Sequence, residues 1–168
     1  MKRRHSLPLL QPLLDDVYNI DTSAWLDIDS LPDSEDAWQL VLALIQQGRI
    51  VACAQVLGEL RDSPVYGRLK PYEKALQLGD YDSDDPGYLQ RVGRITHDHP
   101  AMSRATGSRT PADPYVVALA QIENHVVVAN ESMKRPNRKI PGVCKTLGIR
   151  CITLAEFISA ARSTMKVK

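Results

Sequence analysis

The chain has 168 residues, 43% of them hydrophobic and 24% charged, and carries a formal net charge of +1. That length suits one domain with its own core, and such ordinary polarity excludes a disordered or fibrous chain. The near-zero charge excludes a bulk basic field, so any nucleic acid must be gripped by a local patch.

Residues 1–14, M-K-R-R-H-S-L-P-L-L-Q-P-L-L, superficially copy a secretory leader. Pro8 and Pro12 break the apolar part, and Asp15 and Asp16 follow without a small-residue cleavage site. Residues 1–16 therefore read as an N-terminal extension. No apolar run approaches the length of a membrane span.

Residues 17–20 (V-Y-N-I) predict a short strand ending at Asp21, with a helix starting near Ala24. Asp21 is either the cap of that helix or an acid at the carboxyl edge of a sheet, where open α/β folds bind their ligands. An acidic loop follows. Trp38, Leu40, Val41, Leu44 and Ile45 then repeat at helical spacing over 37–47, with Gly48 closing the helix. Residues 49–54 (R-I-V-A-C-A) predict a second strand, and a helix near Gln55 carries Glu59 beside Val56, Leu57 and Leu60. Glu59 is a surface acid or an inward one.

Residues 61–110 are the least regular part, with short pieces that include a helix over 71–78 and another over 86–96 opened by Asp85 and Pro86. The acids from Asp80 to Asp85 do not make a calcium loop, because the sixth position is Asp85 and the twelfth Arg91. His97 to Arg109 reads as a long loop. In T-P-A-D-P-Y-V-V-A-L-A (110–120), Thr110 or Asp113 is a natural N-cap and Pro114 stands near the first helical position. The helix behind it is apolar on much of its surface, so Asp113 lies at the edge of a core, as a capping residue or as something more.

Residues 125–129 (H-V-V-V-A) form the most apolar strand, hence a central one, and end at Asn130 and Glu131. Lys134, Arg135, Arg138 and Lys139 make a basic loop beside that acid: a solvated turn, or a grip on RNA backbone. A short helix over 142–147, a strand over 149–153 and a helix over 154–162 complete the domain, 17–160, with residues 161–168 as a basic C-terminal tail. Cys53, Cys144 and Cys151 are odd in number and contain no C-x-x-C pair. They read as buried free thiols in a reducing cytoplasm, and His97 and His99 add no zinc spacing.

Strands alternating with helices predict an α/β fold, a three-layer α/β/α sandwich around a mainly parallel sheet. In such a sheet Asp21 and Glu131 reach the same carboxyl edge, and the helices starting beyond it bring Glu59 and Asp113 there. At an effective dielectric of 20, each like-charged pair about 5 Å apart is opposed by roughly 3 kcal/mol. An all-oxygen acidic set suits Mg²⁺ or Mn²⁺, and hard cations of this kind commonly hold substrate phosphates. The matching chemistry is phosphodiester hydrolysis, with one or two ions activating water and neutralising developing charge.

Y-N-I-D-T-S-A-W (18–25), V-L-G-E-L (56–60), A-D-P-Y-V-V-A-L-A (112–120), N-E (130–131) and K-I-P-G-V-C with L-G-I-R-C-I (139–152) resemble PIN-domain proteins. The likeness is to a bacterial branch with K-I-P-x-V-C before the last strand, and it covers about residues 17–160. Order and spacing carry it rather than any single motif. The resemblance implies a metal-dependent ribonuclease, similar to VapC-type toxins of toxin–antitoxin pairs, with a protein antitoxin and homodimerisation as expected partnerships. It assigns Asp21, Glu59, Asp113 and Glu131 as the catalytic and metal-binding set, with Ser23 as polar support. Two positions depart from the pattern: Ala129 stands where many PIN domains have threonine, and Glu131 replaces a more common aspartate.

Two other functions compete with an RNA-cutting enzyme. A PIN-like scaffold that binds RNA or protein without cutting has no reason to accumulate mutually repelling acids. A Mg²⁺ phosphotransferase on a doubly wound sheet wants a phosphate-cradling glycine loop or a lysine just after a strand, and the sequence offers neither.

Overall fold

Short runs of β-branched and apolar residues build the centre of the fold. A computed structural model of the chain describes residues 16–77, 84–103, 111–131 and 139–165. Strands β1 (Tyr18–Ile20), β2 (Ile50–Val51), β3 (Val126–Val128) and β4 (Cys151–Ile152) form one sheet in the order β2-β1-β3-β4. Every pairing is parallel, with Tyr18 opposite Ile50 and Val126, and Val127 opposite Cys151. The first three strands are wholly buried and only the outer β4 is half-buried. As expected, β3 is an inner strand.

Helices cover both faces, which gives the α/β/α sandwich. They are α1 (Thr22–Asp27), α2 (Ser34–Gln46), α3 (Ala54–Leu60), α4 (Pro64–Leu69), α5 (Glu73–Leu76), α6 (Pro86–Asp98), α7 (Asp113–Glu123), α8 (Ile140–Leu147) and α9 (Leu154–Met165). Trp25 of α1 stacks on Trp38 of α2 with centroids 6.1 Å apart, and Tyr18 of β1 meets Phe157 of α9 edge-on at 4.8 Å. These fully buried rings pin helices to the sheet through apolar area and ring geometry.

Several boundaries move from where periodicity puts them. Helix α2 starts at Ser34 because its first turn is Glu35 and Asp36, acids favoured at a helix N-terminus. Strand β2 stops at Val51. Beyond it the Ala52 N–H donates to the Leu76 carbonyl at 3.0 Å, which ends α5 at Leu76. The helix expected over 71–78 is therefore α5, preceded by a 3₁₀ turn at Lys70–Tyr72 and by α4. Another 3₁₀ turn, Pro100–Ser103, interrupts the expected loop after His97. Asp85 does open α6, accepting the Tyr88 N–H at 2.8 Å. Helix α8 begins at Ile140, with Pro141 in its first turn. Helix α9 continues to Met165, past the expected Arg162, because Ala161 is buried in the core; residues 161–165 are thus helix and not tail. Cys53 and Cys144 are buried free thiols, whereas Cys151, on the outer strand, is half-buried. Among the described residues no helix is long and apolar enough to cross a membrane.

Candidate active site

Asp21 directly follows β1, and its N–H donates to the Val128 carbonyl at 2.9 Å, which clamps it against β3. It is the N-cap of α1: Oδ2 accepts the Ser23 N–H at 3.2 Å and the Ser23 hydroxyl at 2.7 Å. Capping uses only one oxygen. Oδ1 is buried with no hydrogen-bond partner among the described residues, and the whole residue is 2% exposed. A buried carboxylate oxygen without a partner is costly unless a ligand or proton meets it. The Ser23 hydroxyl also accepts the Asn130 N–H at 3.3 Å, linking α1 to the end of β3.

Glu59 sits in the last turn of α3, half-buried. Its Oε2 accepts the Thr22 hydroxyl at 2.5 Å and its Oε1 the Ala112 N–H at 3.0 Å. That second bond satisfies a free amide at the start of α7. Asp113 is the first residue of α7 rather than its cap. The cap position is Ala112, with no side-chain capping bond, and Thr110 lies outside the described residues. The Asp113 carboxyl is half-buried and makes no hydrogen bond among the described residues. Glu131, just beyond β3, accepts the Lys139 ammonium on Oε1 at 3.0 Å and the Ile140 N–H, at the start of α8, on Oε2 at 3.2 Å.

Asp113 feels the charges of all three other acids, and Asp21 feels that of Glu131. The Asp113 pKa is pushed up to about 8, first by burial and then by the charges of Asp21, Glu131 and Glu59, with Lys139 relieving part of this. Asp21 is raised to about 6, mainly by burial and further by Glu131, against the opposing hydrogen bonds from Ser23. Even so, among the described residues no three His, Cys, Asp or Glu side chains are arranged to close on a single ion. The reason is local: Glu59 is tied to Thr22 and Ala112, and Glu131 to Lys139 and Ile140. The donor chemistry nonetheless fits a hard divalent cation: carboxylate oxygens only, one of them orphaned, crowded enough to hold protons near neutral pH.

The family described as Domain of unknown function (DUF4411) matches residues 18–165. The chain belongs to that family. The match runs from β1 to the end of α9, and so takes in the acids and the K-I-P-G-V-C run. No curated protein matches the chain.

Lys139, expected to touch RNA backbone, is paired with Glu131. Lys134, Arg135 and Arg138 lie outside the described residues. Two participants carry no clear signal in the sequence. Thr22 reads only as the residue after an acid, and the Ala112 amide is invisible to side-chain patterns. A hydroxyl beside Asp21 and a small residue before the Asp-Pro helix start are the faint traces of both.

Proposed function

We propose that this chain is a Mg²⁺- or Mn²⁺-dependent endoribonuclease of the PIN type. The observation that carries the proposal is Asp21 Oδ1, a buried carboxylate oxygen with no partner among the described residues, in a cluster where neighbouring acids help raise the pKa of Asp21 and Asp113. Among the described residues Asp21 and Asp113 are the groups with uncommitted oxygens, and Glu59 and Glu131 complete the donor set. A bound divalent cation supplies charge neutralisation at a phosphate and acidifies water. Ser23 holds Asp21 in one rotamer, and the Thr22 and Ala112 donors orient Glu59. Lys139, once its hold on Glu131 is exchanged, has an ammonium suited to a phosphate oxygen beside the acids. Following the resemblance to VapC-type toxins, we extend the reading to a toxin held by a protein antitoxin, working as a homodimer. The free thiols suit a cytoplasmic setting.

The second reading, a scaffold that binds without cutting, draws support from Glu59 and Glu131, both already hydrogen-bonded within the chain. Cleavage of single-stranded RNA separates the two. The purified protein should cut with Mg²⁺ or Mn²⁺ and not in chelator. Asp21→Asn, which removes a ligand charge and almost no volume, should lower the rate by at least about the hundredfold that loss of an outer-shell partner can cost. Undiminished cleavage by that variant overturns the assignment.

A further inference from the structure

A cavity of about 380 Å³ opens beside α8, β4 and the start of α9, and Glu131 is among its lining residues. That size is in the range of small-ligand sites. Its walls include Pro141 in the first turn of α8, Ile149 in the turn before β4, and Ile152 on β4. All three are only half-buried, so a flat ring laid between them would remove apolar surface from water. Two charged groups join these walls, Lys145 from the last turn of α8 and Glu156 from the first turn of α9. Glu156 is fixed: Oε2 accepts the Thr153 N–H at 2.7 Å and the Thr153 hydroxyl at 3.1 Å. Its Oε1 and the Lys145 ammonium take no partner among the described residues.

Resting on the ribonuclease reading, we propose that this cavity seats a guanine base of the RNA, one nucleotide from the phosphate held at the acids. Glu131 belongs to both places, which makes the cavity the neighbour of the scissile bond. The polar groups select the base. Guanine presents O6 and N7 as adjacent acceptors, which suit an ammonium such as Lys145. Its N1–H and exocyclic amine are adjacent donors, which suit a fixed carboxylate such as Glu156. Adenine and cytosine offer a single amine next to an acceptor, and uracil offers none, so neither edge is matched as well. Unstacked single-stranded bases are the form in which such edges can be read.

The test maps the ends produced by the full chain on single-stranded RNA of mixed sequence. Guanine should occupy one fixed position beside the cut, favoured about tenfold over other bases. Glu156→Gln should abolish that preference and leave the cutting of guanine-free RNA unchanged. Glutamine can still serve the Thr153 capping pair, so the fold is kept. Cutting without base preference, or a preference that survives in Glu156→Gln, overturns the guanine site and leaves the ribonuclease reading standing. If no RNA is cut, titration with guanosine monophosphate decides instead. Binding about tenfold tighter than adenosine monophosphate and lost in Lys145→Met sustains the guanine site while the ribonuclease reading falls. Absence of selective binding sinks both.

Discussion

A carboxyl group in the first turn of a helix is ordinarily favoured as an anion by the helix dipole, yet the Asp113 pKa is pushed from its usual 3.8 to about 8. Burial and three neighbouring acids outweigh the dipole. Between those two pKa values the unfolded chain gives up this proton while the folded chain keeps it. The folded state then binds more protons, so stability falls as pH rises and the loss is complete above about pH 8. His125 has the opposite sign: buried and lowered to about 4 from 6.5, it contributes stability above pH 6.5 that is lost as pH falls through about 4. Asp21, raised to about 6, has mostly titrated by neutrality. The window from about pH 6.5 to 8 therefore isolates Asp113. In chelator, urea unfolding of the natural chain should lose roughly 1–2 kcal/mol across that window, and Asp113→Asn should stay nearly flat. Equal slopes would mean that Asp113 is not crowded by the other acids. The acids themselves are legible in the sequence, since each follows an apolar strand or lies by the start or face of an apolar helix. Their restraints are not. The bonds from Thr22, Ala112, Lys139 and Ile140 depend on which loops meet, and side-chain spacing along one chain carries no record of that.

At the scale of elements, the site depends on how α7 is docked onto β1. Asn19 is fully buried in β1, and its Nδ2 donates to the Val116 carbonyl of α7 at 3.1 Å. That polar bond crosses the interface between β1 and α7, the elements that carry Asp21 and Asp113 at their ends. Asn19→Ala removes the bond and leaves a small void, so the urea midpoint should drop by an amount equivalent to about 1–3 kcal/mol, with an unchanged m-value. A midpoint shift within error would show that apolar packing alone docks the helix. The alternation of strands and helices, and with it the sandwich, is legible because β-branched runs and helical periodicity are strong signals. Strand lengths are not: with two or three residues each, parallel pairing ends where chains diverge toward their helices, well inside the apolar run. The polar Asn19 inside β1 breaks the apolar pattern, and its partner Val116, 97 residues away, is set by topology alone.

For the molecule as a whole, the parallel sheet gathers at one edge the charges that a net +1 chain would otherwise scatter. The price of that gathering is repulsion that Lys139 relieves only in part, and this gives a test independent of any RNA. Near neutral pH burial and the charges of Asp21, Glu131 and Glu59 oblige the folded chain to hold Asp113 protonated, and Asp113→Asn removes that cost. It should therefore raise the melting temperature in chelator by a few degrees, as about 1 kcal/mol does for a domain of this size. Nothing is lost as a cap, because Ala112 holds that position. Mg²⁺ should stabilise the natural chain with the logarithm of its concentration over the dissociation constant, while Asp113→Asn, short of a ligand, should lose most of that gain. Acids that merely share an edge make a different forecast: both proteins would then shift equally, and only by the screening that any salt provides. Melts of the two proteins in chelator, in Mg²⁺ and in sodium chloride of equal ionic strength distinguish the cases. A shift in Mg²⁺ no larger than in sodium chloride would leave the cluster as a neighbourhood of acids and make the non-cutting scaffold the better reading.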